Sequence, residues 1–240
     1  MFILNAVSRN YGSIPAVRDV SCEITTDGFV FIMGPSGSGK STLLRLLSFV
    51  EAPDQGTVRL ELGGLLYDTA GSTRPWPNLT CVFQRQFLWP HLTLRDNITL
   101  PLRTSGALNI EQRLARVIDL FDMSAFVNRY PNEVSGGQAQ RAALARALVL
   151  DPALILIDEA YGGLDLEQQR ILNDHFLRLR QSGVGLIVVT HALDLAQAQA
   201  DQVIVVEDGQ IAEVGTRSVF ENPTSNFLRK VLLHEAGLKP

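Results

Sequence analysis

Residues 34–42 read Gly-Pro-Ser-Gly-Ser-Gly-Lys-Ser-Thr, and few stretches constrain a fold so tightly. Ahead of them lies a short continuous apolar run, Phe29-Val30-Phe31-Ile32-Met33, which reads as a strand buried on both faces. Behind them Leu43-Leu44-Arg45-Leu46-Leu47 forms an apolar helical face. A glycine-rich loop between a buried strand and a helix N-terminus matches GxxxxGK[ST]. The small residues Gly34, Ser36, Gly37 and Gly39 let backbone N–H groups converge on phosphates, Lys40 reaches the terminal phosphates, and the Ser41 hydroxyl is suited to a Mg²⁺ ion. Thr42 closes the same nucleotide-binding stretch.

Two further apolar runs, Ala153 to Asp158 and Leu186 to Thr190, read as buried strands ending in polar residues, where a parallel sheet presents its ligand edge. Asp158 is placed to hold the Mg²⁺ shell, and Glu159 beside it to take a proton from an attacking water. Taken alone, such a pair is more often a solvated strand end; its combination with the phosphate loop is what favours catalysis. A second anion-seeking feature starts at Ser135-Gly136-Gly137-Gln138, where Ser135 is a good N-cap and paired glycines open a helix N-terminus. On that segment alone a plain capped helix is an equal reading.

Between these strands the texture changes. Residues 86-150 are mostly helical in pattern, with Glu111 to Phe121 the clearest amphipathic piece. Val17 to Thr25 and Gly56 to Leu62 alternate as strands of an antiparallel flap, Ala70 to Asn78 is a loop, and Val203 to Val214 is a hairpin with an Asp208-Gly209 turn. The tail from Arg217 to Pro240 is helical in pattern, and internal repeats are absent from the sequence.

Composition narrows the function. With 21 basic against 25 acidic residues in 240, the net charge of -4 supplies no global attraction to nucleic acid, so no nucleic-acid partner is expected. Cys22 and Cys81 are far apart, outside any CxxC pattern, and are expected as buried small apolar residues. The N-terminus lacks a secretory pattern and no stretch approaches ~18 apolar residues, so the chain is expected to stay in the cytosol without crossing a membrane. The lysines are Lys40, Lys230 and Lys239, which leaves no place for a guanine-reading [NT]KxD motif.

The order of Gly34 to Thr42, Val134 to Gln138, Leu154 to Glu159 and Thr190-His191 resembles the ATP-binding subunit of ABC transporters over nearly the whole chain. The resemblance implies an α/β fold: a P-loop NTPase core of mainly parallel sheet with flanking helices, an antiparallel β subdomain and a helical insertion. It implies one ABC ATPase domain over 1-240, with the core and flap in 1-85 and 151-216, a helical signature subdomain at 86-150 and a helical tail at 217-240. ATP and Mg²⁺ are the implied cofactors. Tyr11 looks like the aromatic that stacks on adenine, and Gln84 like the residue that senses Mg²⁺ and the attacking water beside a membrane partner. Asp165 resembles an aspartate that crosses a dimer interface, and His191 the histidine on the γ-phosphate.

The family implies a homodimer or pseudo-dimer that closes around two ATP molecules, each held by one subunit's Lys40 loop and the other's Ser135, Gly136, Gly137 and Gln138. Transmembrane permease subunits and a solute-binding protein are the further implied partners, at the cytoplasmic face of the inner membrane. Gln86 to Ile98, with Tyr130-Pro131, is similar to ATPases of uptake systems for polar amino acids; Phe87, Leu88, Trp89 and Leu92 would line the groove for a permease helix. Ala160, Gly162-Gly163, Val134 and Ala192 depart from the family pattern without removing a catalytic group. An export or lipid-extraction ATPase, a soluble ABC protein and a different P-loop enzyme are the alternative readings.

Overall fold

Strands buried on both faces need helices to cover them, and the chain supplies both in alternation. The structure, a computed structural model, describes residues 1–159 and 166–235. The expectations placed on Ala160, Gly162-Gly163 and Asp165, and on the end of the tail, lie outside those residues. By their packing the residues form two compact units, Met1–Pro75 with Gly185–Pro240, and Trp76–Val184.

In the first unit, β1 (Phe2–Tyr11), β2 (Ile14–Ile24), β4 (Gln55–Leu62) and β5 (Leu65–Asp68) form an antiparallel sheet in the order β2-β1-β4-β5. The flap expected from Val17 to Thr25 and from Gly56 to Leu62 is therefore present and larger than expected. Strand β1 escapes the sequence reading for a physical reason. Ala6 sits in the left-handed region at φ 49°, and the pairing of β1 with β2 slips between Leu4 and Val7, so the alternation of apolar residues breaks mid-strand. Cys22 lies on β2, the edge strand, and is half-buried; burial pushes its thiol pKa up to about 11. Cys81 is half-buried as well, so neither cysteine is the fully buried apolar residue expected.

The same unit holds β3 (Phe29–Met33), with β8 (Gly185–Val189) and β9 (Gln202–Glu207) parallel on either side and β10 (Gln210–Gly215) antiparallel to β9. Every residue of β3 and β8 is buried, as continuous apolar runs require of a covered sheet. Helix α1 (Lys40–Leu47) buries Leu43, Leu44, Leu46 and Leu47, and each such side chain contributes about 1.5–3 kcal/mol. The β9–β10 hairpin turns at Asp208-Gly209 as expected. Beyond it, Glu213 accepts hydrogen bonds from the backbone N–H groups of Thr224 and Ser225, each at 3.0 Å, just ahead of the C-terminal helix Asn226–Glu235.

In the second unit, β6 (Leu79–Val82) runs parallel to β7 (Leu154–Asp158). Helices α2 (Leu94–Ser105), α3 (Ile110–Leu120) and α4 (Gly136–Leu148) make up the expected helical stretch, and α2 and α3 both pack on α4. Helix α5 (Leu166–Gln181) follows β7, and α6 (Leu193–Gln199) follows β8 in the first unit; neither was marked from the sequence. Asn97, fully buried on α2, organises the turn before it. Its amide donates to the carbonyls of Trp89, Leu92 and Thr93 and its oxygen accepts the Trp89 N–H, so loop 89–93 is held by one side chain.

His175 on α5 is 3% exposed, meets the Phe121 ring edge-on at 4.8 Å, and among the described residues has no hydrogen-bond partner at either ring nitrogen. Burial lowers its pKa, and Arg178 and Arg141 add to that against the pull of Asp122 and Asp174. The unfolded chain therefore binds a proton near pH 6.5 that the folded chain resists. This stability is fully present above 6.5 and drains as the pH falls below it, by at most about 1.4 kcal/mol per pH unit. Urea denaturation at pH 7.5 and 5.5 should show a smaller acid loss for His175→Leu than for the wild type; equal losses would mean that the imidazole titrates normally.

Candidate functional site

The glycine-rich loop lies in the first unit between the end of β3 at Met33 and the start of α1 at Lys40. Two of its glycines allow no other residue. At Gly34, φ 142°, an added Cβ would stand 2.1 Å from the carbonyl oxygen of Val206; at Gly39, φ 103°, it would stand 2.2 Å from that of Ala16. The loop is thus clasped between β2 and the β9–β10 hairpin. The Gly209 N–H donates to the Ser38 carbonyl at 2.9 Å, and the Arg18 N–H to the Gly209 carbonyl at 2.7 Å.

The Lys40 side chain, 5% exposed, runs back beneath this loop, and its ammonium donates to the carbonyls of Gly34 at 2.9 Å and Pro35 at 2.7 Å. Those bonds turn the carbonyls inward and hold the tip, where Pro35, Ser36 and Gly37 are exposed. Helix α1 starts at left-handed Gly39 with no side-chain cap and no acidic residue in its first turn. Its N-terminal N–H groups and dipole therefore favour an anion there. Ser41 is half-buried and Thr42 buried beside them.

Tyr11 ends β1, 41% exposed, and its hydroxyl donates to Glu51 at 2.7 Å. His191 is exposed just past β8, where the Thr190 hydroxyl accepts the Ala192 N–H at 3.0 Å and shapes the turn. Both belong to the first unit, as the loop does.

The second unit carries the remaining residues. Asp158, 4% exposed, is the last residue of β7, and Glu159 follows in the left-handed region at φ 49°. For a residue with a side chain that conformation costs about 1–3 kcal/mol, and such strain concentrates at functional positions. The turn breaks the alternation of the strand at Glu159, whose carboxylate accepts a 2.7 Å hydrogen bond from the Gln84 amide. The structure thus brings together Gln84 and Glu159, 75 residues apart in sequence.

Ser135 caps α4 as expected. Its hydroxyl accepts the Gln138 N–H at 3.3 Å, and the Gln138 side chain accepts the Ser135 N–H at 3.0 Å. Among the described residues no atom lies within 4 Å of where a Gly136 Cβ would stand, so they leave the helix start open on that side.

Arg85 to Pro90, with Pro131 and Ala139, line a groove of about 470 Å³. Phe87 and Trp89 are 59% and 52% exposed, and Leu88 joins the lining, as expected; Leu92 lies outside it. Sequence reasoning missed what anchors this segment. Arg146 of α4 donates to the Phe87 and Gln86 carbonyls, each at 2.8 Å, and the Gln86 amide donates to Gln140 of α4 at 3.1 Å. A lone arginine in the small apolar run Ala142 to Leu148 is the one signal that could have marked it.

The family described as "ABC transporter" matches residues 17–162, and the chain belongs to it. A sulfate/thiosulfate import ATP-binding protein, CysA of Thermosynechococcus vestitus, is 38% identical over 92% of this chain and 66% of its own length. A spermidine/putrescine import ATP-binding protein, PotA of Nitrosomonas eutropha, is 36% identical over 97% of this chain and 65% of its own. The chain thus spans just under two thirds of the length of these relatives. Their names lend no support to a polar amino acid system. Among solved structures, the ADP- and Pi-bound post-hydrolysis dimer of the ATP-binding cassette MJ0796 superposes with a TM-score of 0.80 at 31% identity, covering 90% of this chain and 99% of that one. The α/β cassette fold expected from the sequence is therefore present.

The anchoring of residues 86 and 87 is open to a stability measurement. Arg146→Ala leaves two carbonyls without their charged donor and should lose about 2 kcal/mol in urea denaturation, with Arg146→Lys recovering part of it. An unchanged midpoint for Arg146→Ala would show that the guanidinium holds nothing.

Proposed function

We propose that this chain is the ATP-hydrolysing subunit of an ABC importer for a small polar or charged solute. The observation that carries the reading is the loop from Gly34 to Gly39, clasped too closely for a Cβ at either end, braced by Lys40, and leading into a helix start without an acid. A triphosphate fits such a cradle. The oxygen donors Ser41, Asp158 and Gln84 suit Mg²⁺, a hard cation. Once bound, that ion would neutralise charge on the phosphates.

The chain's own residues divide the work. The N–H groups of Gly34, Ser36, Gly37 and Gly39 and the hydroxyls of Ser41 and Thr42 hold phosphate; Lys40 moves its ammonium from loop carbonyls to phosphate oxygens. Glu159 takes the proton of the attacking water, and the Gln84 amide that now touches its carboxylate orients that water. His191 donates to the terminal phosphate, and Tyr11 stacks on the base. Ser135, Gly136, Gly137 and Gln138 at the capped start of α4 serve the nucleotide of a second ATPase subunit, in a homodimer or pseudo-dimer. Phosphoryl transfer needs mainly positioning and charge neutralisation, so a site completed by a second subunit couples hydrolysis to closure.

We take residues 86-150 as the signature portion and the exposed Phe87 to Trp89 groove as the seat of a short permease helix. Among the described residues no helix is long and apolar enough to cross a membrane, so attachment to the cytoplasmic face of the membrane would come through that permease. A solute-binding protein completes the importer. Sulfate and polyamines, named for the relatives, and the polar amino acids suggested by residues 86–98 share small size and polarity or charge.

Glu159→Gln should bind ATP as tightly as the wild type and lose hydrolysis by at least about 100-fold, as removal of a general base does. Lys40→Ala should weaken ATP binding itself. Wild-type turnover in Glu159→Gln would assign the base elsewhere, and wild-type affinity in Lys40→Ala would remove the loop from the nucleotide site.

A further inference from the structure

Tyr11 is held in place by charge. Its hydroxyl donates to Glu51 Oε2 at 2.7 Å and accepts from Arg45 Nη2 at 3.2 Å. The same Glu51 carboxylate pairs with Arg9 Nε at 3.3 Å and Arg45 Nε at 3.0 Å. Both guanidiniums stand over the Tyr11 ring, 5.4 and 5.8 Å from its centroid. Asp54 completes the cluster: it pairs with Arg9 at 2.6 Å and accepts the Asn10 N–H at 2.7 Å, which fixes the backbone immediately before Tyr11. Arg45 belongs to α1, and its Nη2 also donates to the Thr42 hydroxyl at 3.3 Å.

We propose that Glu51 is a positioning residue for base recognition, joining the Tyr11 ring to α1 so that ring and phosphate loop are pre-set as one rigid pair. The proposal rests on the nucleotide-binding reading above. Its physical content is entropic and electrostatic. An exposed tyrosine on a strand end would sample several rotamers, and fixing it before binding spares that cost when a base arrives. Two guanidiniums beside one ring repel each other, and the Glu51 carboxylate, which both reach, offsets that repulsion. With its charge in place, each arginine polarises the ring without repelling the other.

The test uses calorimetric binding of ATP and of inorganic tripolyphosphate to the full 240-residue chain, with Glu51→Ala, Tyr11→Phe and the double variant. Glu51 is a surface residue with a side chain 22% exposed, and Tyr11→Phe removes only one hydroxyl, so the second variant reads the tether even if the first folds poorly. Each single variant should raise the Kd for ATP about fivefold, the double variant no further, and tripolyphosphate should bind all of them as it binds the wild type. Equal weakening of tripolyphosphate would mean that Glu51 braces α1 and would overturn the proposal, as would unchanged ATP affinity in both single variants. If the wild type bound neither ligand, or Lys40→Ala left both unaffected, the nucleotide reading itself would fall, a result distinct from either.

Discussion

Everything at the glycine-rich loop depends on one ammonium group in contact with two carbonyls. A loop that offers its N–H groups outward must dispose of its carbonyls inward, and a buried carbonyl without a donor costs about 1–3 kcal/mol. Lys40 supplies the donor for Gly34 and Pro35 from beneath. The clasp of β2 and the β9–β10 hairpin then leaves glycine as the only residue that fits at Gly34 and Gly39. Loop, helix start and sheet edge are therefore consequences of a single packing arrangement in the first unit.

The second unit is built on a different device. There the groove segment and α4 are tied by Arg146 and by the Gln86–Gln140 amide pair, so residues 86 and 87 cannot shift without involving the helix that Ser135 caps. A few residues earlier, Gln84 touches the carboxylate of Glu159. The exposed Phe87 to Trp89 segment thus lies between two hydrogen-bonded connections, one to α4 and one, through neighbouring Gln84, to the carboxylate after β7.

Much of this was legible in the chain. The buried strands at Phe29, Leu154 and Leu186 announce themselves as continuous apolar runs, and the Ser135 cap and Asp208-Gly209 turn carry local chemistry that needs no tertiary context. What escaped was whatever depends on partners far away. Strand β1 is interrupted by the bulge at Ala6, the half-burial of Cys22 comes from its place on an edge strand, and Arg146 sits in a run whose apolar pattern hides its reach to Gln86 and Phe87.

The sequence by itself determined where a glycine-rich turn precedes a helix, where an apolar strand ends in carboxylates and where a helix is capped, because those features depend on side-chain type and on spacing within a few residues. Only the tertiary structure decided that Glu51 gathers Tyr11, Arg9 and Arg45, that Gln84 meets Glu159, and that α4 holds the groove segment. These are contacts between residues tens of positions apart in sequence, and charge and hydrogen-bonding capacity do not choose among distant partners until packing has brought them within reach.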